Sequence, residues 1–383
     1  MCGSFGGDAD WVVGDARIRN LEMLTESEKT EQARKEMKHS DSKFEKLIKA
    51  KPKLVTMSQE ILVKTDYLQS GQTLPLVVRP NIDGAEPIAW AKSNYEFIER
   101  ELLKHGAILF RGFVVDSASE FERFALAICP ELFGEYGDLP REGFSGKVYG
   151  STPYPADQSI LFHNESSHLP CWPLKQWFCC LQAAESGGET PIVDCRQVYQ
   201  RLDPKIRERF REKGVMYVRN FTNGLGVSWQ EFFKTTEKLV VEEYCRQVGT
   251  KFEWKGDNGL RTRQVCPAVA QHPKTGEVVW FNQVQHWHLA CLDRATRESL
   301  LRLFEEVELP RNCYYGDGSP IEESVMEEIG NIYWQEAVSF PWQKGDILMI
   351  DNMLVAHGRK PYRGTRKIVV AMGEMMSREA LLG

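Results

Sequence analysis

The chain has 383 residues, 42% hydrophobic and 11% aromatic, with a formal net charge of −6 and both signs spread along its length. Such a composition supports a large core and excludes wholesale disorder. It lacks the basic face of a nucleic-acid binder and any run of 18 apolar residues that could span a membrane.

The start, Met1-Cys2-Gly3-Ser4 leading to Asp8 and Asp10, has neither the basic nor the apolar region of a signal peptide. It also lacks the glycine at position 2 of a myristoylation signal, so a cytoplasmic location is expected. The ten cysteines form no Cys-x-x-Cys pair and read as small buried hydrophobes. Residues 1–55, dense in Lys and Glu from Glu26 to Lys53, are expected to form a charged arm or helix. Residues 56–383 read as one domain.

Trp90 to Lys104 has helical spacing, with His105-Gly106 at its C-terminus. Ala107 to Phe113 is a buried strand, and Ser117 to Cys129 a helix with Ser117 or Ser119 as N-cap. Gln176 to Ala184 is an apolar strand, followed by a Gly187-Gly188 turn and a short strand over Thr190–Asp194. Asp203-Pro204 opens a helix to about Lys213, Gly214 to Phe221 is strand-like, and Glu237 to Gln247 is helical. Arg263 to Gln271, the turn His272–Gly276 and Val278 to Asn282 read as a hairpin. Helices over Ala295–Val307 and Glu322–Ala337 precede strands at Asp346–Asp351, Val355-Ala356 and Lys367–Met372. Many short strands interrupted by helices, about 200–250 and 292–340, predict a mainly β fold: a jelly-roll core with helical insertions.

Ile160 to Phe162 lead a strand up to His163-Asn164-Glu165, whose alternation points His163 and Glu165 the same way. An imidazole and a carboxylate on one face are two of the three ligands of a 2-His-1-carboxylate metal site. His357, 192 residues after Glu165, is presented by an apolar strand beside Gly358 and is the best-placed third ligand; a core histidine is the alternative. Arg366, nine residues further on, shares a strand face with Ile368, Val370 and Met372. An arginine among apolar neighbours needs an anion, and its fork fits a carboxylate. Arg359 and Arg363 compete for that role from the turn. Thr190, 25 residues after Glu165, offers a hydroxyl to the same anion.

Phe162-His163-Asn164-Glu165, Gly187-Gly188-Glu189-Thr190-Pro191-Ile192-Val193 and Gly345-Asp346-Ile347-Leu348 through Asp351-Asn352, His357-Gly358-Arg359, Pro361, Gly364 and Arg366 resemble the taurine dioxygenase and clavaminate synthase group of iron(II)/2-oxoglutarate oxygenases. The resemblance runs from about Ala107 to Met372. Tyr217–Phe221, Gly226–Gln230 and Val279–Gln283 are similar to the syringomycin-pathway type of hydroxylase, which oxidises amino acids, free or on carrier proteins. The resemblance implies a double-stranded β-helix, His163, Glu165 and His357 on Fe(II), Arg366 and Thr190 on 2-oxoglutarate, and O2 as oxidant. With Glu165 in the carboxylate place, no position is freed for a halide, and hydroxylation is expected over halogenation, with desaturation or cyclisation as the alternative outcomes.

His168, Arg219, Trp229, Asn282 and His286 are candidate substrate residues. His286 and His288 form a His-x-His pair that a cupin-type metal enzyme without 2-oxoglutarate would use. A catalytically silent jelly-roll binding protein is the other alternative; neither needs an anchored dianion. The expected partner is a small or carrier-tethered amino-acid substrate, with neither nucleic acid nor membrane involved. The oligomeric state is not legible.

Overall fold

The computed structural model describes residues 62–379 except 83, 135–142, 152–153 and 222–225, so the expected N-terminal arm lies outside the described residues. The first strands are β1 (Val63–Tyr67), β2 (Leu76–Pro80), β3 (Ala107–Phe110), β4 (Gly143–Ser145), β5 (Val148–Gly150), β6 (Ile160–His163) and β7 (Cys171–Gln182). β8 (Ser186–Gly187), β9 (Ile192–Asp194), β10 (Val215–Phe221), β11 (Lys251–Lys255), β12 (Gly259–Cys266) and β13 (Val269–Gln271) follow. The last are β14 (Val278–Trp280), β15 (Arg311–Tyr315), β16 (Ile347–Asp351), β17 (Val355–Arg359), β18 (Tyr362–Arg363) and β19 (Lys367–Ser377).

An eight-stranded sheet, β1-β2-β3-β16-β7-β19-β5-β4, faces a three-stranded sheet, β6-β17-β9, in a jelly-roll core. The central strands of the large sheet are apolar on both faces because both are covered. Ile108, Phe110, Trp177, Cys179, Ile347, Met349, Val369 and Ala371 pack with the helices Pro87–Ser93, Tyr95–His105 and Ala118–Ile128. Their sequence neighbours Leu109, Phe178, Cys180, Leu348, Ile350, Ile368 and Val370 turn to the other cluster, which also contains Phe162 of β6 and Ile192 of β9. One register slip would exchange the two sets, so register is strongly fixed. Arg111 and Asp346 secure one end of the β3–β16 pair with a buried two-pronged ion pair at 2.9 and 2.6 Å. Between β9 and β16 a long insertion carries a second sheet, β11-β12-β10-β15, the β13–β14 hairpin and several helices.

Three elements differ from the sequence reading. The helix read over 90–104 is two helices, because Glu86 caps an earlier start before Pro87 and Asn94 interrupts the run. The Asn94 side chain donates to Trp90 O at 2.7 Å, ending one helix where the next begins. The strand read over 263–271 breaks at Pro267, which cannot donate to a ladder: β12 pairs with β10, whereas β13 pairs with β14. Finally, β17 extends through Arg359, so His357 lies inside a strand and not beyond its end.

Candidate metal centre

β17 lies between β6 and β9, and its His357 stands directly opposite His163 in one ladder and Ile192 in the other. Gly358 permits that pairing, since a Cβ there would come within 2.7 Å of Ile160 O. Donor atoms of His163, Glu165 and His357 lie within 4.8 Å of one another, with Glu165 and His357 buried. The two imidazole rings are 4.3 Å apart at their centroids. His163 Nδ1 lies 2.8 Å from Leu161 O, which places its proton there and turns the Nε2 lone pair to the cluster. Two imidazoles and a carboxylate in this arrangement fit a divalent first-row metal such as Fe(II) with coordination positions left open.

Strand alternation is not what aligns Glu165 with His163. β6 ends at His163, and Glu165 sits in the turn that follows, where Ser166 adopts φ +58°. Asn352, fully buried, fixes the Glu165 backbone: its Oδ1 accepts from Glu165 N–H at 2.7 Å. Its Nδ2 donates to Glu165 O and Pro173 O, each at 2.9 Å. Asn164, pointing the opposite way, donates to Asn352 O at 2.7 Å and accepts from Asn282 N–H at 3.3 Å. Gln176 of β7 donates to the Glu165 carboxylate at 3.3 Å. Sequence reasoning missed Asn352 and Gln176 as site-forming groups. The available signal was an amide beside a charged residue in a mostly apolar stretch, Gln176 after Lys175 within Trp172–Leu181 and Asn352 after Asp351 at the end of Ile347–Ile350.

The turn from β16 to β17 is shaped by Asp351, whose Oδ1 accepts from Met353 N–H and Leu354 N–H at 2.9 and 3.0 Å. Its Oδ2 meets His272 Nε2 at 3.0 Å, while His272 Nδ1 accepts from Thr275 N–H at 3.1 Å. The imidazole is therefore the donor to Asp351.

A cleft joins the three donors to Gln176, Phe178, Thr190, Arg366 and Val370. The Arg366 Nε donates to Gly188 O at 2.9 Å, and the guanidinium has no carboxylate partner among the described residues. Gly188 makes room for it: at φ +74°, its Cβ would stand 2.9 Å from Arg366 Cδ. Burial, with Arg359 nearby, pulls the Arg366 guanidinium down to about 10. Thr190 Oγ1 accepts from Trp342 Nε1 at 3.2 Å, which leaves its own O–H to donate into the cleft. This donor pair fits a carboxylate. Arg359 is committed elsewhere, donating to Tyr154 O, Pro155 O and Gln158 O at 3.0, 2.5 and 2.6 Å, and Arg363 is exposed.

The expected substrate residues separate into two groups. Trp229 is away from the cleft, in a satellite core with Phe221, Val241, Cys245 and Leu260, its Nε1 donating to Asn258 Oδ1 at 3.1 Å. Asn282 serves the loop architecture: Nδ2 donates to Ala268 O at 2.9 Å, and Oδ1 accepts from Val284 N–H at 3.1 Å. Both side chains are consumed by packing that no local pattern reveals. His286 does lie at the centre, stacked on His163 with centroids 5.2 Å apart. His288 does not join it, being buried with Nδ1 accepting from Ala290 N–H at 3.1 Å, so the His-x-His pair does not converge. His168 packs on Tyr217 and Trp287 and lines a neighbouring cavity with Arg219.

Residues 68–372 match the taurine catabolism dioxygenase TauD, TfdA family. The chain is 37% identical over 307 residues to the dapdiamide synthesis protein DdaC of Enterobacter agglomerans, spanning 77% of this chain and 93% of that one. It is 31% identical over 293 residues to a clavaminate synthase-like protein of Arabidopsis thaliana, spanning 73% and 85% respectively. Among solved structures, PvcB from Pseudomonas aeruginosa shares the fold with a TM-score of 0.52 at 14% identity, covering 83% of this chain and 93% of that one.

Proposed function

The chain belongs to the taurine catabolism dioxygenase TauD, TfdA family, and from that premise we propose that His163, Glu165 and His357 hold Fe(II) for the 2-oxoglutarate-dependent oxidation of a small molecule. It is a non-haem Fe(II)/2-oxoglutarate-dependent dioxygenase that uses O2. The observation that carries the residue assignment is Arg366: a largely buried guanidinium without a carboxylate partner among the described residues, opening into the cleft of the three donors. Such a group demands an anion.

In this reading the Arg366 fork receives the distal carboxylate of 2-oxoglutarate, and the Thr190 hydroxyl donates to the same group. Glu165 supplies the single anionic ligand, its second oxygen accepting from Gln176. Phe178 and Val370 form apolar walls that exclude water. Bound Fe(II), with 2-oxoglutarate and O2, supplies the oxidation of a C–H bond, one oxygen atom entering succinate and the other the product while CO2 leaves. Hydroxylation is the proposed outcome, because Glu165 occupies the place a halide would need. We place the substrate among amino acids and their derivatives, free or carrier-tethered, in small-molecule biosynthesis. DdaC, the relative at 37% identity, is named for dapdiamide synthesis.

A cytoplasmic enzyme comprising one oxygenase domain over 56–383 and an N-terminal arm belongs to the same reading. No helix among the described residues is long and apolar enough to cross a membrane. The test is anaerobic addition of Fe(II) and 2-oxoglutarate while monitoring the weak visible charge-transfer band of the chelate. A band that is lost in His357→Ala supports the assignment; no band with the parent enzyme refutes it.

A further inference from the structure

The segment that closes the insertion runs along the edge of β9. Val338 N–H donates to Ile192 O at 2.8 Å, and Ile192 N–H donates back to Val338 O at 2.9 Å. Four residues on, Trp342 is buried with its Nε1 on Thr190 Oγ1. Thr190 lines the metal cleft, whereas Trp342 does not and stands behind it. The backbone on either side of Trp342 is held by one buried ion pair. Pro341 O accepts from Arg111 Nη2 at 2.9 Å, and Gln343 N–H donates to Asp346 Oδ2 at 2.8 Å. The Arg111 guanidinium also lies 5.4 Å from the Phe340 ring, and that ring meets Trp342 edge-on at 5.4 Å. The Arg111–Asp346 pair that joins β3 to β16 therefore also fixes where one indole points.

A threonine hydroxyl is ambivalent, with one proton to give and two lone pairs to receive. Rotation about its C–O bond decides which of these faces a ligand. An indole N–H can only donate, so the Thr190 proton cannot be spent on Trp342. One lone pair of Oγ1 is taken by that N–H, and the O–H meets no acceptor among the described residues. A lone pair turned into the cleft would repel a carboxylate, and the proton attracts it. The indole removes the first choice.

We propose that Trp342 is a positioning residue for the co-substrate, its indole N–H making Thr190 an obligate donor to the distal carboxylate of 2-oxoglutarate. The proposal rests on the reading of Thr190 and Arg366 given above. Arg366 supplies the charge that draws the anion, and Trp342 supplies direction to the second donor without touching the ligand. Its effect on 2-oxoglutarate passes through a single hydroxyl. Removing that hydroxyl must therefore make the N–H irrelevant to binding, which packing alone would not do.

The test is a double-mutant cycle on the Fe(II)-loaded enzyme, with 2-oxoglutarate binding followed anaerobically by calorimetry. Trp342→Phe keeps an aromatic ring but loses the N–H, and should weaken 2-oxoglutarate about three- to tenfold. Thr190→Val should weaken it by at least as much. The double variant should bind 2-oxoglutarate as Thr190→Val does, with no further loss. Thr190→Ser keeps the hydroxyl and should keep the full sensitivity to Trp342→Phe. Fe(II) affinity, titrated separately, should be the same throughout the cycle. Placing 3-benzothienylalanine at position 342 exchanges only the N–H for sulfur. It should reproduce the loss, and it serves if Trp342→Phe does not fold. Losses that multiply in the double variant, or unchanged affinity without the N–H, would overturn the proposal. Thr190→Val binding 2-oxoglutarate like the parent refutes instead the assignment of Thr190 on which the proposal rests.

Discussion

Replacing Asn352 by Leu tests the idea that a buried amide, and not strand alternation, holds Glu165 in place. Asn352 makes three side-chain hydrogen bonds, to Glu165 N–H, Glu165 O and Pro173 O, and is fully buried. Leucine has similar bulk but leaves all three backbone groups without that partner in a dry interior. Each such loss costs about 1–3 kcal/mol. With some gain from the added apolar contact, the net cost is about 3–5 kcal/mol, a large part of the 5–15 typical of a folded protein. The site should suffer beyond this, since a metal centre whose supporting groups are removed loses about ten- to a hundredfold in affinity. Urea unfolding of metal-free protein measures the first effect, and anaerobic Fe(II) titration the second. Asn352→Asp, which keeps the acceptor for Glu165 N–H but sets a carboxylate against two carbonyls, should be no better than Leu in stability. If Asn352→Leu unfolds within about 1 kcal/mol of the parent and binds Fe(II) equally well, the clamp does not position Glu165.

Arg366→Lys should raise the Michaelis constant for 2-oxoglutarate about ten- to a hundredfold, followed by succinate formation, with iron stoichiometry unchanged. The reverse pattern, a larger change for the primary substrate, would move Arg366 to the substrate side. Glu165→Ala and His357→Ala should each lose Fe(II) and succinate formation; normal turnover by His357→Ala would pass the ligand role to His286. Burial pulls the His288 imidazole down to about 4, below the unfolded value of 6.5, so between these limits the unfolded chain binds the proton first. Stability is then level above pH 6.5 and falls as pH drops toward 4, by about 3 kcal/mol from this residue. His288→Gln takes up no proton, so its urea midpoint should decline less over the same range.

The periodic parts of this fold are legible because burial on two faces leaves a local record. Ile347–Ile350 and Ala107–Phe110 are continuous apolar runs, and they become the adjacent strands β16 and β3. The donor types His163, Glu165 and His357 are readable from chemistry and chain order, as is an arginine heading an apolar strand. What brings Glu165 to His163 is not local: Asn352 acts across a separation of 187 residues, and Gln176 reaches over from the large sheet. The fates of Trp229 and Asn282 are equally non-local, since Asn258 and Ala268 decide them.

The placing of β16 between β3 and β7, and of β17 between β6 and β9, has a consequence for biosynthesis. A nascent chain that has reached Ala337 already contains four flanking strands, each with an unpaired edge awaiting residues not yet translated. Its donor set is two-thirds present, but the histidine that completes it arrives with β17. Completing the candidate donor set is therefore coupled to closing both sheets at once. Until then the insertion, with its own four-stranded sheet, can fold ahead while the edges flanking the gap stand open to mispairing. Chaperone dependence should accordingly concentrate in the interval before Ile347–Arg359 leaves the ribosome.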